Sequence, residues 1–349
     1  MPDRNDQCNE LAARILAQGA CKKTVRQAKK YVQKQRLAES EAHWCFHDAL
    51  NKGDMRELIS RYTPKRAKHG SVCIDAVYGA MFGDIIGSKY EGKRIDMEDA
   101  EQAVQAAYAE PEQHVLTDDS VLTLATASAI LSLKQTTDVR TKKGEYIGKS
   151  VSAFSDSYLQ FGKKYPQAGY GPAFRWWLEA GERTPYGSNG NGAAMRISPV
   201  GAAGMPFRNV IKDAIASAAC THNHIEGIRG ACVEAVCISM AAARKSNTKE
   251  QIFEYMRSVY STPGENLFSR FTMEKAMGVR THQIQCQFSV PAAIIAFHES
   301  VSFEDAISNA LMAGSDTDTN ACICGAVAGA YYGVSPAVKE FVRSKCDNI

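Results

Sequence analysis

Apolar residues recur along most of this chain at alternating steps of three and four, and this spacing constrains the fold more than any other feature. Between residues 146 and 162 one such stripe consists of Ile147, Val151, Phe154, Tyr158 and Phe161. Because a helix turns once every 3.6 residues, these side chains share one helical face. Similar stripes occupy residues 121–134, 225–244, 250–260, 290–299, 303–313 and 334–343. The alternating runs typical of strands are missing, so the sequence predicts an all-α, multi-helix fold.

Several of the predicted helices are rich in glycine and alanine. Gly79, Ala80 and Gly83 lie close together in one segment, and residues 325–330 read GAVAGA in another. A glycine inside a helix costs about 1 kcal/mol relative to alanine. We therefore expect these segments to pack closely against another helix, or to approach a ligand with their backbone.

Charge divides the chain into two parts. Residues 1–70 contain 15 Lys and Arg against 8 Asp and Glu, whereas the whole chain has a net charge of only +3, so the remainder is mildly acidic. The polar stretch from Thr63 to Gly70 is the best candidate for a linker. We predict a basic helical extension over residues 1–69, available to a partner, and a larger domain over residues 70–349.

Nothing in the sequence indicates export or insertion into a membrane. The first twenty residues are too polar for a signal peptide, since Arg14 interrupts their only apolar run. No apolar stretch reaches the roughly 20 residues that span a bilayer. The 11 cysteines are scattered without a CxxC pair, which favours reduced core thiols over a disulfide framework or a zinc site. We expect a cytoplasmic protein.

Two acidic clusters, about two hundred residues apart, each precede a helical run. They are residues 117–119, which read TDD, and residues 316–319, which read DTDT. Helix capping explains one Thr or Asp at a helix start, because such side chains bond the free N–H groups of the first turn. Two acids in one first turn exceed that need, and they repel each other unless a cation lies between them.

If the two helix starts meet, four carboxylates and two hydroxyls converge. Oxygen ligands suit hard divalent cations such as Mg²⁺ or Mn²⁺. Two such ions, about 3.5–4 Å apart, can activate a water and hold substrate oxygens together. A two-metal centre explains both clusters better than capping does. Its candidate ligands are Thr117, Asp118, Asp119, Asp316, Asp318 and Thr319.

The second cluster alone also resembles the DxDx[TV] motif of haloacid-dehalogenase-type phosphatases. In that family the motif follows a buried strand and ends in Thr or Val. Here the preceding residues have a helical pattern, and Asn320 occupies the fifth position. The phosphatase interpretation also leaves the first cluster without a role, so we rank it well below the two-metal centre.

Five stretches in a fixed order resemble the ADP-ribosylglycohydrolase family, typified by dinitrogenase reductase-activating glycohydrolase. They are residues 79–91, 117–119, 190–196, 221–222 and 314–319, and the resemblance extends over about residues 70–349. It implies an all-α bundle with a dinuclear Mg²⁺ or Mn²⁺ centre. It also implies that the six candidate ligands bind the two ions.

The resemblance implies further site residues. Glu91 lies where some members place a mobile glutamate beside the metals, so Glu91 and Asp119 are the candidate catalytic residues; a solvated loop glutamate is the alternative for Glu91. The loop 186–192 is the expected cradle for ADP-ribose, with glycine N–H groups near the diphosphate. The expected substrate contacts are Tyr186, Gly190, Asn191, Gly192, Met195 and His222.

Three further residues keep two interpretations each. Asp84 is either a hydrogen-bonding partner of the metal site or polar packing within a glycine-rich helix. Arg196 either reaches a phosphate or forms a buried ion pair. His224 is a surface residue or a structural one, in contrast to His222, which is expected to contact the nucleotide ribose.

The activity that the resemblance implies is metal-dependent hydrolysis of the bond between ribose C1″ and a modified protein side chain. Such cleavage passes through an oxocarbenium-like transition state. ADP-ribosyl-arginine is the first choice of substrate, and serine-linked ADP-ribose and O-acetyl-ADP-ribose remain open. The alternative from another class is a non-catalytic protein on the same fold that binds ADP-ribose or a toxin.

The basic extension departs from the pattern of a minimal hydrolase. Some bacterial members of the family are immunity proteins against ADP-ribosyltransferase toxins, and an N-terminal extension plugs the toxin's active site. Residues 1–69 resemble that arrangement, so a toxin is a candidate partner beside the ADP-ribosylated substrate. A helical appendage packed through Trp44, Phe46 and Leu58 is the alternative. Nucleic-acid binding is not expected, since the extension lacks a recognised motif.

Overall fold

A computed structural model describes residues 52–93, 95–136, 145–181, 183–260 and 284–346 of the chain. These ranges contain fourteen α-helices and no β-strand, which confirms the all-α prediction. In chain order the helices are α1 (Lys52–Tyr62), α2 (Ile74–Gly87), α3 (Met97–Ala109), α4 (Asp118–Thr136), α5 (Glu145–Lys164), α6 (Pro172–Ala180), α7 (Ser198–Ala202), α8 (Phe207–Ala219), α9 (Ile225–Ala241), α10 (Lys249–Tyr260), α11 (Cys286–Glu299), α12 (Phe303–Met312), α13 (Thr317–Tyr332) and α14 (Pro336–Cys346).

Side-chain caps fix the starts of several helices. Ser302 precedes α12, and its hydroxyl accepts a hydrogen bond from the Asp305 N–H. His224 precedes α9, and its Nδ1 accepts from the Glu226 N–H at 3.1 Å. Each cap satisfies a backbone donor that has no partner within the helix. The structural interpretation of His224 is therefore confirmed.

Helices α2 and α13 run antiparallel through the centre of the molecule with their backbones in contact. A Cβ atom added to Gly79 would overlap the carbonyl oxygen of Gly325, and the reverse also holds. Near the end of α2, Gly87 lies against the backbone of Asp318. The expectation that small residues allow close helix packing is confirmed. Because the helices are antiparallel, the C-terminal end of α2 lies beside the N-terminal end of α13.

The other helices surround this central pair. Helices α9, α11 and α12 pack against α13, whereas α4, α7 and α14 pack against α2. One continuous apolar core joins them. Hydrogen bonds from the Thr117 and Ser120 N–H groups to Asp84, near the end of α2, place the start of α4 at the same end of the pair as the start of α13. No helix in the described ranges is both long and apolar enough to cross a lipid bilayer.

Helix α1 lies within the predicted N-terminal extension and packs on the rest of the chain. Leu58 and Tyr62 are buried, and the Tyr255 hydroxyl donates to the Tyr62 carbonyl oxygen at 2.8 Å. Residues 1–51, with Trp44 and Phe46, lie outside the described residues. The boundary between residues 69 and 70 stays a prediction.

Candidate metal centre and active site

Asp84, near the C-terminal end of α2, holds the first turn of α4. Its buried carboxylate accepts hydrogen bonds from the backbone N–H groups of Thr117 and Ser120, both at 3.1 Å. It also accepts from the Thr117 hydroxyl at 2.5 Å and from the Ser120 hydroxyl. Three of these donors meet Oδ2 and one meets Oδ1, so Oδ1 keeps a lone pair for a further partner. Of its two interpretations, the structure supports Asp84 as a hydrogen-bonding partner of the acidic centre.

The second acidic cluster lies at the start of α13. The Thr317 hydroxyl donates to the Gly87 carbonyl oxygen at 3.0 Å, which ties this turn to the end of α2. Among the described non-glycine residues, Ser315 alone has a positive φ, which is 65°. The Asn320 side-chain amide donates to the Gly314 carbonyl oxygen at 2.9 Å and closes the turn. Backbone strain is thus held next to the candidate ligands.

The two clusters meet across 200 positions of sequence. The Thr319 hydroxyl oxygen lies 3.4 Å from Asp119 Oδ2. The Thr117 hydroxyl oxygen lies 3.5 Å from the same atom. Asp119 Oδ2 therefore lies between one threonine of each cluster, as the prediction of converging helix starts requires.

The carboxylate oxygens form two overlapping groups. In each group, three oxygens from three residues lie within 4.8 Å of one another. The groups are Asp84, Asp119 and Asp318, and Glu91, Asp316 and Asp318. Asp118 belongs to neither group among the described residues, although the charges of Asp84 and Asp316 act on its carboxyl. Two groups with one shared member could supply oxygens to two neighbouring cations.

Burial and mutual repulsion raise the pKa values of these carboxyls. Burial raises the pKa of Asp84 to about 6. Burial and then the charges of Asp84 and Asp316 raise the pKa of Asp118 to about 7. The pKa values of Asp119 and Asp318 lie well above the usual range, first because of burial and then because of neighbouring carboxylates. Negative charge is crowded here with little water around it.

The residues fit divalent cations. No lysine or arginine in the described part of the chain forms an ion pair with these carboxyls. Asp119 Oδ1 is buried without a hydrogen-bond partner. A buried carboxylate is stable only when it is paired, coordinated to a metal or protonated. The all-oxygen donor set matches hard cations such as Mg²⁺ or Mn²⁺.

Glu91 is the exposed carboxylate of the group. It follows a short 3₁₀ turn, Ser88–Tyr90, that continues from α2. The next residue, Gly92, donates its N–H to the Ser315 carbonyl oxygen at 3.2 Å. This bond holds the Glu91 loop against the second acidic cluster. Glu91 therefore lies between the acidic centre and solvent.

The expected cradle loop, residues 186–192, is held by residues 221–223. The Tyr186 N–H donates to the Thr221 carbonyl oxygen at 3.2 Å, and the Gly187 N–H donates to Asn223 Oδ1 at 2.7 Å. The Tyr186 ring meets the His222 ring edge-on, with their centroids 5.5 Å apart. Two of the expected substrate contacts, Tyr186 and His222, are therefore neighbours.

Two of the backbone donors in this loop bond to other groups of the protein. The Gly190 N–H donates to the serine hydroxyl two residues earlier at 3.0 Å, and the Asn191 N–H donates to the Ile284 carbonyl oxygen at 2.7 Å. These donors are used within the protein. Glycine at position 192 serves a different need, because a Cβ there would lie 2.9 Å from Nε2 of His222.

Asn191 joins the cradle loop to the acidic centre. Its side-chain amide donates to Asp316 Oδ2 at 2.7 Å and to the Ser289 hydroxyl at 3.0 Å. On the same border, the Thr319 hydroxyl lies 4.0 Å from the Met195 sulfur. The residues expected to contact substrate thus adjoin those expected to bind metal.

Arg196 is fully buried and forms no ion pair with any carboxylate of the described ranges. Its Nη2 donates to the Ser217 carbonyl oxygen at 2.9 Å and to the Thr221 hydroxyl oxygen at 2.7 Å. The interpretation of Arg196 as half of a buried ion pair is therefore wrong within these ranges. Its full burial also keeps it off any open surface of the site.

Comparison with known proteins places this chain in a family. The family model for ADP-ribosylglycohydrolase matches residues 65–348, which is most of the chain. The chain belongs to the ADP-ribosylglycohydrolase family. It is accordingly a hydrolase that acts on ADP-ribose linkages.

Individual members of this family are distant in sequence. ADP-ribosylhydrolase ARH3 from Bos taurus is 25% identical over 327 residues, which cover 76% of this chain and 86% of that protein. ADP-ribosylhydrolase ARH3 from Homo sapiens gives the same identity and coverage. A solved structure, the ADP-ribosylglycohydrolase-related protein complex, has a TM-score of 0.54 and 20% identity over 82% of this chain and 96% of that one, so the two share a fold.

Some residues that hold the site carry no signal in the sequence. Ser289 bonds Asn191 from 98 positions away, and Asn223 bonds Gly187 from 36 positions away. A serine or an asparagine at such positions is ordinary in any helical protein. Asp84 has a weak signal, since it is an acid in the interior of a mainly apolar helix.

Proposed function

We propose that this chain hydrolyses the bond between ADP-ribose and a modified protein side chain, with arginine as the acceptor residue and two divalent cations, Mg²⁺ or Mn²⁺, as cofactors. The observation that carries the proposal is the convergence of two distant acidic clusters in a buried place, where no described lysine or arginine forms an ion pair with them. The relatives named ADP-ribosylhydrolase agree with the type of reaction.

Six residues would hold the cations, and Asp84 would orient the ligands at the start of α4. When bound, the cations supply positive charge for the ribose hydroxyls and lower the pKa of water. Asp84 keeps its oxygens on the first turn of α4, so its part is to position the ligands beside it. The proposed ligands are Thr117, Asp118, Asp119, Asp316, Asp318 and Thr319.

Glu91 and Asp119 are the proposed catalytic residues. Glu91 is open to solvent while its carboxylate lies near those of Asp316 and Asp318, so it can accept a proton from the attacking water at Oε. Asp119 is buried with one oxygen free of protein hydrogen bonds. The surrounding negative charge stabilises the positive charge that develops at C1″ in the transition state.

The cradle loop supplies the proposed substrate contacts. Asn191 and Met195 border the acidic centre, and the Tyr186 and His222 rings pack against each other beside the loop. ADP-ribose lying along residues 186–192 would therefore place its distal ribose at the acidic centre. Gly190 and Gly192 complete this wall beside the His222 ring.

The test is release of ADP-ribose from a protein modified on arginine, compared with serine-linked and O-acetyl substrates. We expect release in Mg²⁺ or Mn²⁺ and none in EDTA. Asp118→Ala should reduce the rate more than about 100-fold, beyond the usual loss for an outer-shell partner of a metal. Asp156→Ala is the matched control, because Asp156 is an exposed partner of Arg183. No release from any of the three substrates would leave a non-catalytic protein that binds ADP-ribose or a toxin.

We also propose that residues 1–69 bind an ADP-ribosyltransferase toxin and that the chain serves as immunity to it. The support is the surplus of basic residues in this segment, together with α1, which fastens its end to the body. Deletion of residues 1–51 leaves α1 in place. We expect this variant to keep hydrolase activity and to lose toxin binding. Unchanged toxin binding would remove the extension from the proposal.

A further inference from the structure

Arg196 is a buried cation whose partners are neutral. Its guanidinium carbon lies 4.2 Å above the centroid of the Tyr158 ring. Its Nη2 bonds the Ser217 carbonyl oxygen and the Thr221 hydroxyl oxygen, whereas Nε and Nη1 are buried without a hydrogen-bond partner. Burying a charge in this way is costly. In some proteins such a cost is retained because the charged group fixes the geometry of its neighbours.

The hydrogen bond to Thr221 has only one possible direction. A guanidinium carries five N–H donors and no acceptor, so the Thr221 oxygen must accept. That oxygen also lies 2.8 Å from Nδ1 of His222. With one lone pair taken by Arg196, the threonine hydrogen is free to donate to Nδ1. An imidazole that accepts at Nδ1 carries its proton on Nε2.

Nε2 of His222 faces the cradle loop. It lies 3.4 Å from the position of a Cβ added to Gly190 and 2.9 Å from one added to Gly192. The Tyr186 ring packs against the edge of the imidazole. The ring is therefore held by hydrogen bonding on one side and by packing on the others, with its Nε2 atom toward the loop.

We propose that Arg196 is a positioning residue that acts through Thr221 to hold His222 in the tautomer protonated on Nε2, as a hydrogen-bond donor to an oxygen of ADP-ribose. The identity of that acceptor rests on the proposed function. The proposed tautomer does not, since it concerns only the chain's own donors and acceptors.

The charge state of His222 is consistent with a donor that does not exchange protons with substrate. Burial, and then the charge of Arg196, hold the pKa of His222 well below its usual range. The imidazole is therefore neutral near pH 7, and a neutral imidazole has one donor and one acceptor. The tautomer of His222 then decides whether Nε2 offers the ligand a hydrogen-bond donor or an acceptor.

The relay is tested on the free protein by ¹⁵N NMR of histidine-labelled samples, with His222→Gln to assign the signals. We expect the Nε2-protonated tautomer and an Nδ1 resonance shifted by an accepted hydrogen bond. Thr221→Val should abolish that shift, and Thr221→Ser, which keeps the hydroxyl, should preserve it. An Nδ1-protonated ring in the wild type, or an Nδ1 resonance unchanged in Thr221→Val, would overturn the relay.

Two NMR measurements test the contribution of Arg196 to the His222 tautomer. Arg196→Met should move the Nδ1 resonance in the same direction as Thr221→Val. Because this change also removes the stacking on Tyr158, the Nη–H resonances of wild-type Arg196 are followed as well. These should shift in Thr221→Val and stay in Thr221→Ser. Nη–H resonances that are the same in all three proteins would overturn the role of Arg196.

The consequence for ligand binding is measured as the Kd for free ADP-ribose. Thr221→Val should weaken binding by about tenfold, the usual effect of one lost hydrogen bond, whereas Thr221→Ser should bind as the wild type does. In turnover, the loss should fall on KM with little change in kcat. If the NMR results are as expected but Thr221→Val binds ADP-ribose as the wild type does, the donor role of His222 is wrong. If the wild-type protein neither binds nor releases ADP-ribose, the proposed function is wrong instead.

Discussion

The acidic centre and the Arg196 region are two buried charged places of opposite sign, and their surroundings differ. At the acidic centre, carboxyls lie against other carboxyls, and their pKa values are raised by burial and by one another. At Arg196, a single cation contacts a carbonyl oxygen, a hydroxyl and an aromatic face. The buried cation has neutral partners, whereas the carboxyls of the acidic centre have other carboxyls beside them as well as neutral donors.

This difference separates two uses of buried charge. Like charges packed together favour the entry of an ion of the opposite sign, so the acidic centre requires something from outside the chain. A lone charge among oriented dipoles instead fixes the direction of hydrogen bonds in its neighbours. The first arrangement binds a partner, and the second sets the geometry of a residue nearby.

The largest effect among the variants that break this contrast is expected for Asp84→Asn. An amide can accept at one atom only, so it cannot receive the four hydrogen bonds that Asp84 takes from Thr117 and Ser120. We expect hydrolase activity to fall by about 10- to 100-fold, measured as ADP-ribose release at saturating Mg²⁺.

The matched control for that variant is Asp75→Asn, at the opposite end of α2. Asp75 forms an ion pair with Lys339 at 2.7 Å, far from the acidic clusters. Its replacement should leave activity within about twofold of the wild type, since a surface ion pair contributes at most about 1 kcal/mol. Equal activity in the two variants would show that Asp84 is polar packing after all.

A smaller effect is expected for Gly192→Ala, which tests whether ligand binding depends on the position of the His222 ring. The added methyl would lie 2.9 Å from Nε2 of His222, so the ring or the loop must move. We expect the Kd for ADP-ribose, measured by calorimetry, to rise about tenfold. Gly171→Ala is the control, because a Cβ at Gly171 meets no heavy atom within 4 Å. If both variants bind equally well, the position of the imidazole does not matter to the ligand.

The smallest effect concerns stability and pH. Folded-state pKa values of about 6 for Asp84 and about 7 for Asp118 exceed the usual 3.8, so the folded protein keeps protons that the unfolded chain has lost. Stability from this source is full at low pH and disappears as the pH rises through those values. We expect the melting temperature of metal-free protein to fall by a few degrees between about pH 5 and pH 8.

Saturating Mg²⁺ should remove most of that fall, because a bound cation takes the place of the protons. The double variant Asp84→Asn with Asp118→Asn should also flatten the dependence. Metal-free protein whose melting temperature climbs over the same interval would contradict the charge imbalance at the acidic centre.

The sequence predicts local features of this molecule well and distant ones poorly. Helix starts at residues 117–119 and 316–319 depend on neighbouring residues, so the pattern of acids before an apolar run was enough to place them. That the two starts meet came from the two-metal interpretation and the family resemblance. The role of Arg196 had no local cause, because it depends on Tyr158 and Thr221, which the fold brings to it.

The cradle loop shows the same limit in another way. Its glycines suggested backbone donors for a diphosphate, but the fold uses the Gly190 and Asn191 N–H groups for its own turns. The glycines indicate that another group comes close to the backbone of this loop, but they do not indicate which group it is. At Gly192 the partner is an imidazole 30 positions later in the chain, which no spacing rule would identify.

Since α2 and α13 touch through their backbones at Gly79 and Gly325, main-chain geometry sets the distance between Asp84 on α2 and the second acidic cluster on α13. Asp84 in turn fixes the first cluster through its hydrogen bonds to Thr117 and Ser120. Mg²⁺ binds oxygen at about 2.0–2.1 Å and accepts little departure from octahedral geometry. A methyl group at Gly79, about two helical turns from Gly87, would push the two helices apart. It would thereby change the distances between the proposed ligands while leaving every one of them in place in the sequence.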